Sequence, residues 1–150
     1  MRLTGLDLVD WRRNTAPAVS HENVERLRRS YEAFNVSGSV DLDLWDTDVE
    51  YIQTAEVGAG ETVFHGRDGV AEAVGELTEA FEDFRVEPER FFDLGDRVLA
   101  FVRLRGRAKQ SGVPIDAPFA HVATFRGTRI THWHAYARRE EALQSVGLGE

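Results

Sequence analysis

The sequence predicts an α+β fold, with helices packed on one face of a largely antiparallel sheet. Two segments in the first 85 residues repeat apolar residues at three- and four-residue spacing, the mark of amphipathic helices. From residue 85 onward apolar residues instead alternate in short runs divided by turn residues, the mark of strands. The last third closes as a hairpin, in which Phe119–Phe125 runs out, Arg126–Arg129 turns and Ile130–Tyr136 returns. An order of helix, strand, helix and then a run of strands segregates the helices from the sheet.

Residues 1–19 are expected to form an arm, in which Leu3, Leu6, Leu8, Val9 and Trp11 make one amphipathic turn before Asn14–Pro17 interrupts it. The remaining residues, 20–150, form a single domain. Its first helix is expected over His21–Asn35, with Ser20 as N-cap, Glu22 near the positive end of the dipole, and Val24, Leu27, Tyr31 and Phe34 on one face. Gly38 ends it, and a short helical piece follows over Asp41–Trp45. Thr47–Gln53 alternates like a strand, and Ala55–Glu61 with its glycines reads as a loop. The next helix opens after Phe64-His65-Gly66 and presents Val70, Val74, Leu77, Phe81 and Phe84. Gly75 inside it costs about 1 kcal/mol relative to alanine, which suggests close packing there. Strands follow around Arg85–Phe92, Arg97–Gly106 and Phe119–Arg126, with Gln110–Pro118 as a loop, then Ile130–Ala137 and a helical tail over Arg138–Leu143.

Composition narrows the function classes. The chain has 150 residues, enough for one domain with a sizeable core, and 42% of them are hydrophobic. A net charge of −8 argues against a nucleic-acid partner, whose phosphates need a concentrated basic surface. The absence of cysteine excludes disulfides, thiolate metal sites and a Cys nucleophile. No apolar run approaches the ~20 residues of a spanning helix, and the N-terminus lacks a signal-peptide core. The expectation is a cytoplasmic protein that does not engage a membrane.

Several pieces together resemble a known family. They are Tyr31–Asn35, Asp48–Tyr51, Phe64–Val70, Phe81–Phe84, Gly95–Val98, Ile130 and the tail Arg139–Leu148. In this order and spacing, over residues 20–148, the chain resembles the SnoaL-like branch of the nuclear transport factor 2 superfamily, which includes ketosteroid isomerase and polyketide cyclases. The resemblance implies a cone-shaped α+β barrel (cystatin/NTF2-like): a strongly bent, mixed or antiparallel sheet wraps a long N-terminal helix and holds a pocket in its concave face. It also implies a homodimer formed through the outer face of the sheet.

The same resemblance is tested position by position, because this fold hosts many functions. Ketosteroid isomerase uses a carboxylate base and an oxyanion hole of a tyrosine and a protonated aspartate. In this chain those positions fall on Tyr51, Ser30 and His121 respectively. The acid/base aspartate of SnoaL-type cyclases falls on Ala135 or His134, depending on hairpin register, and a common acidic residue near the strand's end falls on Arg138. Neither machinery is present as such.

His121 is the leading catalytic candidate, because it shares a strand face with Phe119, Ala123 and Phe125, and an imidazole there can move a proton near neutral pH. A core histidine satisfied by a backbone group or by Tyr51 is the alternative. Tyr51 joins His121 as a catalytic candidate, with Tyr51 or Tyr31 orienting a ligand oxygen, and Tyr31, Trp45, Phe64, Phe101, Phe119, Trp133 and Ala135 are expected to line the pocket. Register decides the companions of His121. A two-residue turn at Gly127-Thr128 pairs Arg126 with Arg129 and sets His121 against His134. A three-residue turn with a bulge pairs Phe125 with Arg129 and sets His121 against Trp133. The resemblance favours the second, with Trp133, Ala135 and Ala137 inside.

His132 and His134 then face the dimer side with Tyr136, and lacking a third ligand they give no metal site. Asp48 is expected to cap a turn, and Glu50 to point away from Tyr51. Arg103, Arg105 and Arg107 alternate on one face, paired with acidic residues or, alternatively, binding an anion. No cofactor is expected. The functional expectation is a small hydrophobic, cyclic or aromatic ligand, handled by an acid/base isomerase, cyclase or dehydratase; the alternative is a binding or assembly module without catalysis.

Overall fold

A computed structural model of the chain describes residues 18–54 and 60–148. The arm expected at 1–19 lies outside the described residues, apart from the backbone of residues 18 and 19. Helix α1 (Ala18–Ser37) is followed by a 3-10 turn (Leu42–Leu44), strands β1 (Trp45–Thr54) and β2 (Glu61–His65), and helix α2 (Gly66–Ala80). Strands β3 (Phe81–Asp93), β4 (Arg97–Ala108), β5 (Pro114–Arg126) and β6 (Arg129–Tyr136) then lead to helix α3 (Arg139–Ser145).

The six strands form one sheet in the order β2-β1-β6-β5-β4-β3. The β1–β6 pair is parallel and the other neighbours are antiparallel. Irregular pairings in β3, between Glu82 and Arg85 and between Pro88 and Arg90, provide the bends that let long strands curl. Helices α1 and α2 lie across the concave face, as the resemblance implies.

Two asparagines hold α1 there. Asn35 Nδ2 donates to Val86 O and its Oδ1 accepts from Val86 N–H, at 2.9 and 2.8 Å, which ties the helix C-terminus to β3. At the other end the buried Asn23 donates to Gly127 O in the β5–β6 turn at 3.0 Å. Tyr31 lies between these clips, so its ring is fixed over the middle of the sheet.

Several sequence expectations change. The described helix α1 already runs from Ala18, so Ser20 is within it and does not cap it. Glu61–His65 is a strand, because Phe64 pairs with Tyr51 and completes the sheet edge. Helix α2 stops at Ala80. Phe81 and Phe84 belong to β3, where Phe81 pairs with Ala108; local periodicity could not reveal that long-range partner. Pro114–Pro118, expected in a loop, extends β5 by pairing with Arg103–Arg107. The helices do not all share one face: α3 covers an outer cluster of Phe92, Leu99, Phe101, Ala120, Val122 and Tyr136.

The glycine that marks close packing is Gly69 rather than Gly75. A Cβ at Gly69 would lie 3.0 Å from the Phe64 carbonyl carbon, whereas one at Gly75 would meet nothing within 4 Å. Gly69→Ala is therefore expected to lower the melting temperature, since α2 must lift from β2. Gly75→Ala is expected to raise stability by up to about 1 kcal/mol through backbone entropy alone. Thermal unfolding of the two variants checks this, and shifts of the same sign would contradict the packing described.

Candidate functional site

The concave face encloses a cavity of about 270 Å³ between α1, α2 and the sheet. His121, Tyr51, Tyr31, Trp45, Phe119, Trp133 and Ala135 line it. Strand parity explains the set. His121 pairs with Ala135 on β6 and with Ala100 on β4, so His121, Phe119, Ala135 and Trp133 all point inward.

The hairpin follows neither register foreseen from the sequence. Arg126 pairs with Arg129, as a two-residue Gly127-Thr128 turn requires, and Phe125 pairs with Ile130. The next pairs are Thr124 with His132 and Ala123 with Trp133, so Thr131 is an extra residue in β6. That bulge shifts the ladder by one and sets His121 against Ala135, not His134 or Trp133. Trp133 becomes its diagonal neighbour, with ring centroids 4.5 Å apart.

Two expected wall residues lie elsewhere. Phe101 follows the inward-facing Ala100 and so faces outward, packing on Phe92 at 5.2 Å under the Arg139 guanidinium at 4.7 Å. Phe64 lies behind the wall, edge-on to Tyr51 at 6.0 Å, in the layer under α2. Ala137 is not a lining residue either; β6 ends at Tyr136. Sequence reading missed Gln53, Val74 and Leu104, which also line the cavity, as does Ser30 at the isomerase tyrosine position. Gln53 was findable, because it follows Tyr51 by two on β1 and so shares its face.

Tyr31 Oη and His121 Nδ1 form a buried hydrogen bond of 2.8 Å. Tyr31, and not Tyr51, is therefore the partner of the histidine. Burial, with no carboxylate to offset it, pushes the His121 pKa down to about 3, so the ring is uncharged at neutral pH. Burial also raises Tyr31 well above the usual phenol range, with the nearby Tyr51 adding to the shift. Burial pushes Tyr51 up to about 12, partly offset by Gln53 and by the Trp133 indole. That indole N–H approaches Tyr51 without hydrogen-bonding geometry, so Trp133 Nε1, like Trp45 Nε1, is a buried donor without an acceptor among the described residues. Trp133 also contacts Trp45 at 5.1 Å and stacks near Tyr51 at 6.1 Å, which makes it the hub of the wall.

Among the described residues no Asp, Glu, Lys or Arg lines the cavity. Glu50 points to the outer face, 4.0 Å from His65 and 3.9 Å from His132. Asp46, rather than Asp48, caps the local turn by accepting from the Asp48 N–H. His134 sits on the outer face against Thr54 and Glu61, stacked on Tyr136 at 3.9 Å. Among the described residues no group of three His, Cys, Asp or Glu could hold a metal ion. Arg103 pairs with Glu89 and Asp116, and Arg105 with Glu87 and Asp116, while Arg107 donates to the Gly112 carbonyl. No helix among the described residues is long and apolar enough to cross a membrane.

Comparison with known proteins agrees with this architecture. A family profile described as a SnoaL-like domain matches residues 24–133. A putative SnoaL-like polyketide cyclase from Jannaschia sp. CCS1 superposes with a TM-score of 0.70 at 17% identity, over 92% of this chain and 99% of its own. TerC, co-crystallised with polyporic acid, gives a TM-score of 0.63 at 21% identity over 83% of this chain and 97% of its own. A protein of ketosteroid isomerase-like fold from Catenulispora acidiphila DSM 44928, in complex with trimethylamine, gives 0.61 at 21% identity, over 89% and 95% of the two chains. No curated protein matches the sequence.

Proposed function

Since this chain belongs to the SnoaL-like domain family, we propose that it binds a small, uncharged cyclic or aromatic molecule in the concave cavity, as a homodimer in the cytoplasm. One observation carries the reading: the cavity is walled by aromatic and aliphatic side chains, and among the described residues the polar groups that line it are uncharged. An ionised ligand would lose its hydration there and gain no counter-charge. Engineered cavities of about 150 Å³ hold benzene, so the volume here suits a molecule of one or two rings. The cyclase-like description of the Jannaschia protein and the polyporic acid held by TerC are consistent with a cyclic ligand.

A second reading keeps acid/base isomerisation, cyclisation or dehydration, and the buried Tyr31–His121 bond favours it. Under that reading the ligand itself must raise the His121 pKa by placing negative charge beside the ring. For the dimer, Tyr136 is already packed under α3, which leaves Ile52 and Val63 as the apolar residues of the open outer strip.

Native mass spectrometry of the protein as purified, followed by thermal-shift screening, tests both parts. The expected results are a dimer mass and stabilisation by uncharged mono- and bicyclic compounds but not by their carboxylates. Stabilisation by trimethylamine or by carboxylates alone would contradict the uncharged-ligand reading. A monomer mass would remove the dimer.

A further inference from the structure

We propose that Tyr31 fixes His121 as the Nε2–H tautomer, so that the pocket presents one neutral N–H donor and selects ligands with a carbonyl or similar acceptor on the ring. The inference rests on the ligand-binding reading above and names the chemical class that the same cavity takes.

The argument starts from the hydrogen of the Tyr31 hydroxyl. That hydroxyl is buried, and its hydrogen-bond partner among the described residues is His121 Nδ1, at 2.8 Å. If Nδ1 carried the proton and donated, both the phenol hydrogen and the Nε2 lone pair would lack partners among the described residues, whereas a donating phenol leaves only Nε2–H unmet. Each unmet buried polar group is unfavourable, so the arrangement with one unmet group wins over the one with two. The phenol therefore donates, Nδ1 accepts with its lone pair, and the ring proton resides on Nε2. The ring does not escape by taking a second proton, since among the described residues no carboxylate lines the cavity to support an imidazolium.

Nε2–H then has no acceptor among the described residues. His121 lines the cavity, so the unmet donor lies at the ligand's side of the ring. Trp133 lies against His121 at 4.5 Å and near-parallel to Tyr51 at 6.1 Å and 24°, which gives a planar ligand an aromatic wall beside that donor. An apolar ring with a carbonyl satisfies the N–H and the wall together. A plain hydrocarbon satisfies only the wall. A carboxylate would satisfy the N–H and bring a charge that no described lining residue opposes. Tyr31 is a positioning residue here, acting through the imidazole rather than on the ligand.

The test uses the full-length protein with two probes, 1-tetralone and tetralin, which share a bicyclic frame and differ in one carbonyl. Nitrogen-15 NMR of histidine-labelled protein near neutral pH is expected to show His121 Nε2 protonated and Nδ1 bare. Tyr31→Phe is expected to redistribute the proton between the two nitrogens. Titration is expected to show tetralone binding about tenfold more tightly than tetralin, the usual worth of one buried hydrogen bond. His121→Gln, which keeps an N–H donor near the Nε2 position, is expected to retain that preference, and His121→Leu to lose it. A proton on Nδ1 in the unmodified protein overturns the proposal, and so does equal affinity for the two probes. If neither probe binds, the uncharged-ligand reading falls with it. Equal binding removes the carbonyl preference alone, so the two failures are distinguishable.

Discussion

Trp133→Ala is expected to lower the unfolding free energy by about 3–5 kcal/mol, the range for deleting a buried large aromatic side chain. The indole is 5% exposed and touches Tyr31, Trp45, Tyr51 and His121, which come from α1, β1 and β5. Its loss would join the existing cavity to a new void, so neighbouring rings have little to collapse against. Urea denaturation at neutral pH measures the effect, with the dependence on urea unchanged if the folded state keeps its extent. A loss below about 1 kcal/mol would show that the aromatic wall is not packed around this residue.

The second large effect concerns acid. His121 has a folded-state pKa of about 3 against an ordinary value of 6.5, because its charged form cannot be solvated in the core. Above the ordinary value the ring is neutral in both folded and unfolded chains, and pH has no effect through it. As pH falls from 6.5 towards 3, the unfolded chain takes up a proton that the folded chain refuses, and stability is lost throughout that window. Between pH 6.5 and about 4.5 the loss from this one group is roughly 2–3 kcal/mol.

His121→Leu removes the titrating group, so its stability is expected to decline less over the same interval, although it starts lower because Tyr31 loses its partner. Glu89, held below the usual carboxylate range first by the Arg139 hydrogen bond, acts at lower pH. Its contribution is present above the ordinary carboxylate pKa and fades as pH falls below it. That contribution is common to both proteins and cancels in the difference. Parallel stability curves for the two proteins from neutral pH to pH 4.5 would contradict the buried neutral imidazole.

Much of the architecture was legible because local signals and the tertiary fold agree. The spacing of Val24, Leu27, Tyr31 and Phe34 places one face of α1 in the core, and all four are buried. Alternation along Phe119–Phe125 put His121 on an inward face, and that depends only on the two-residue period of a strand. The family resemblance rested on ordered short motifs spread over helices, strands and turns, and one of them marks a helix start. There Gly66 opens α2 with φ of 73°.

What escaped the sequence was every feature set by a partner distant in the chain. Phe81 and Phe84 continue the periodicity of α2, yet pairing with β4 captures them for β3. Phe101 looks like any other aromatic core residue until the Ala100–His121 pair fixes its parity outward. A single extra residue, Thr131, gave His121 a partner that neither turn type predicts. The Tyr31–His121 bond spans 90 residues and needs both the helix clips and the strand register before it can form. The sequence by itself determined which faces are apolar, and hence an α+β subunit with a histidine turned inward. Only the tertiary structure decided how those faces align, because register and helix placement are settled by long-range hydrogen bonds that leave no periodic trace. The charge and the hydrogen-bonding state of His121 follow from that alignment, since both depend on what surrounds the ring.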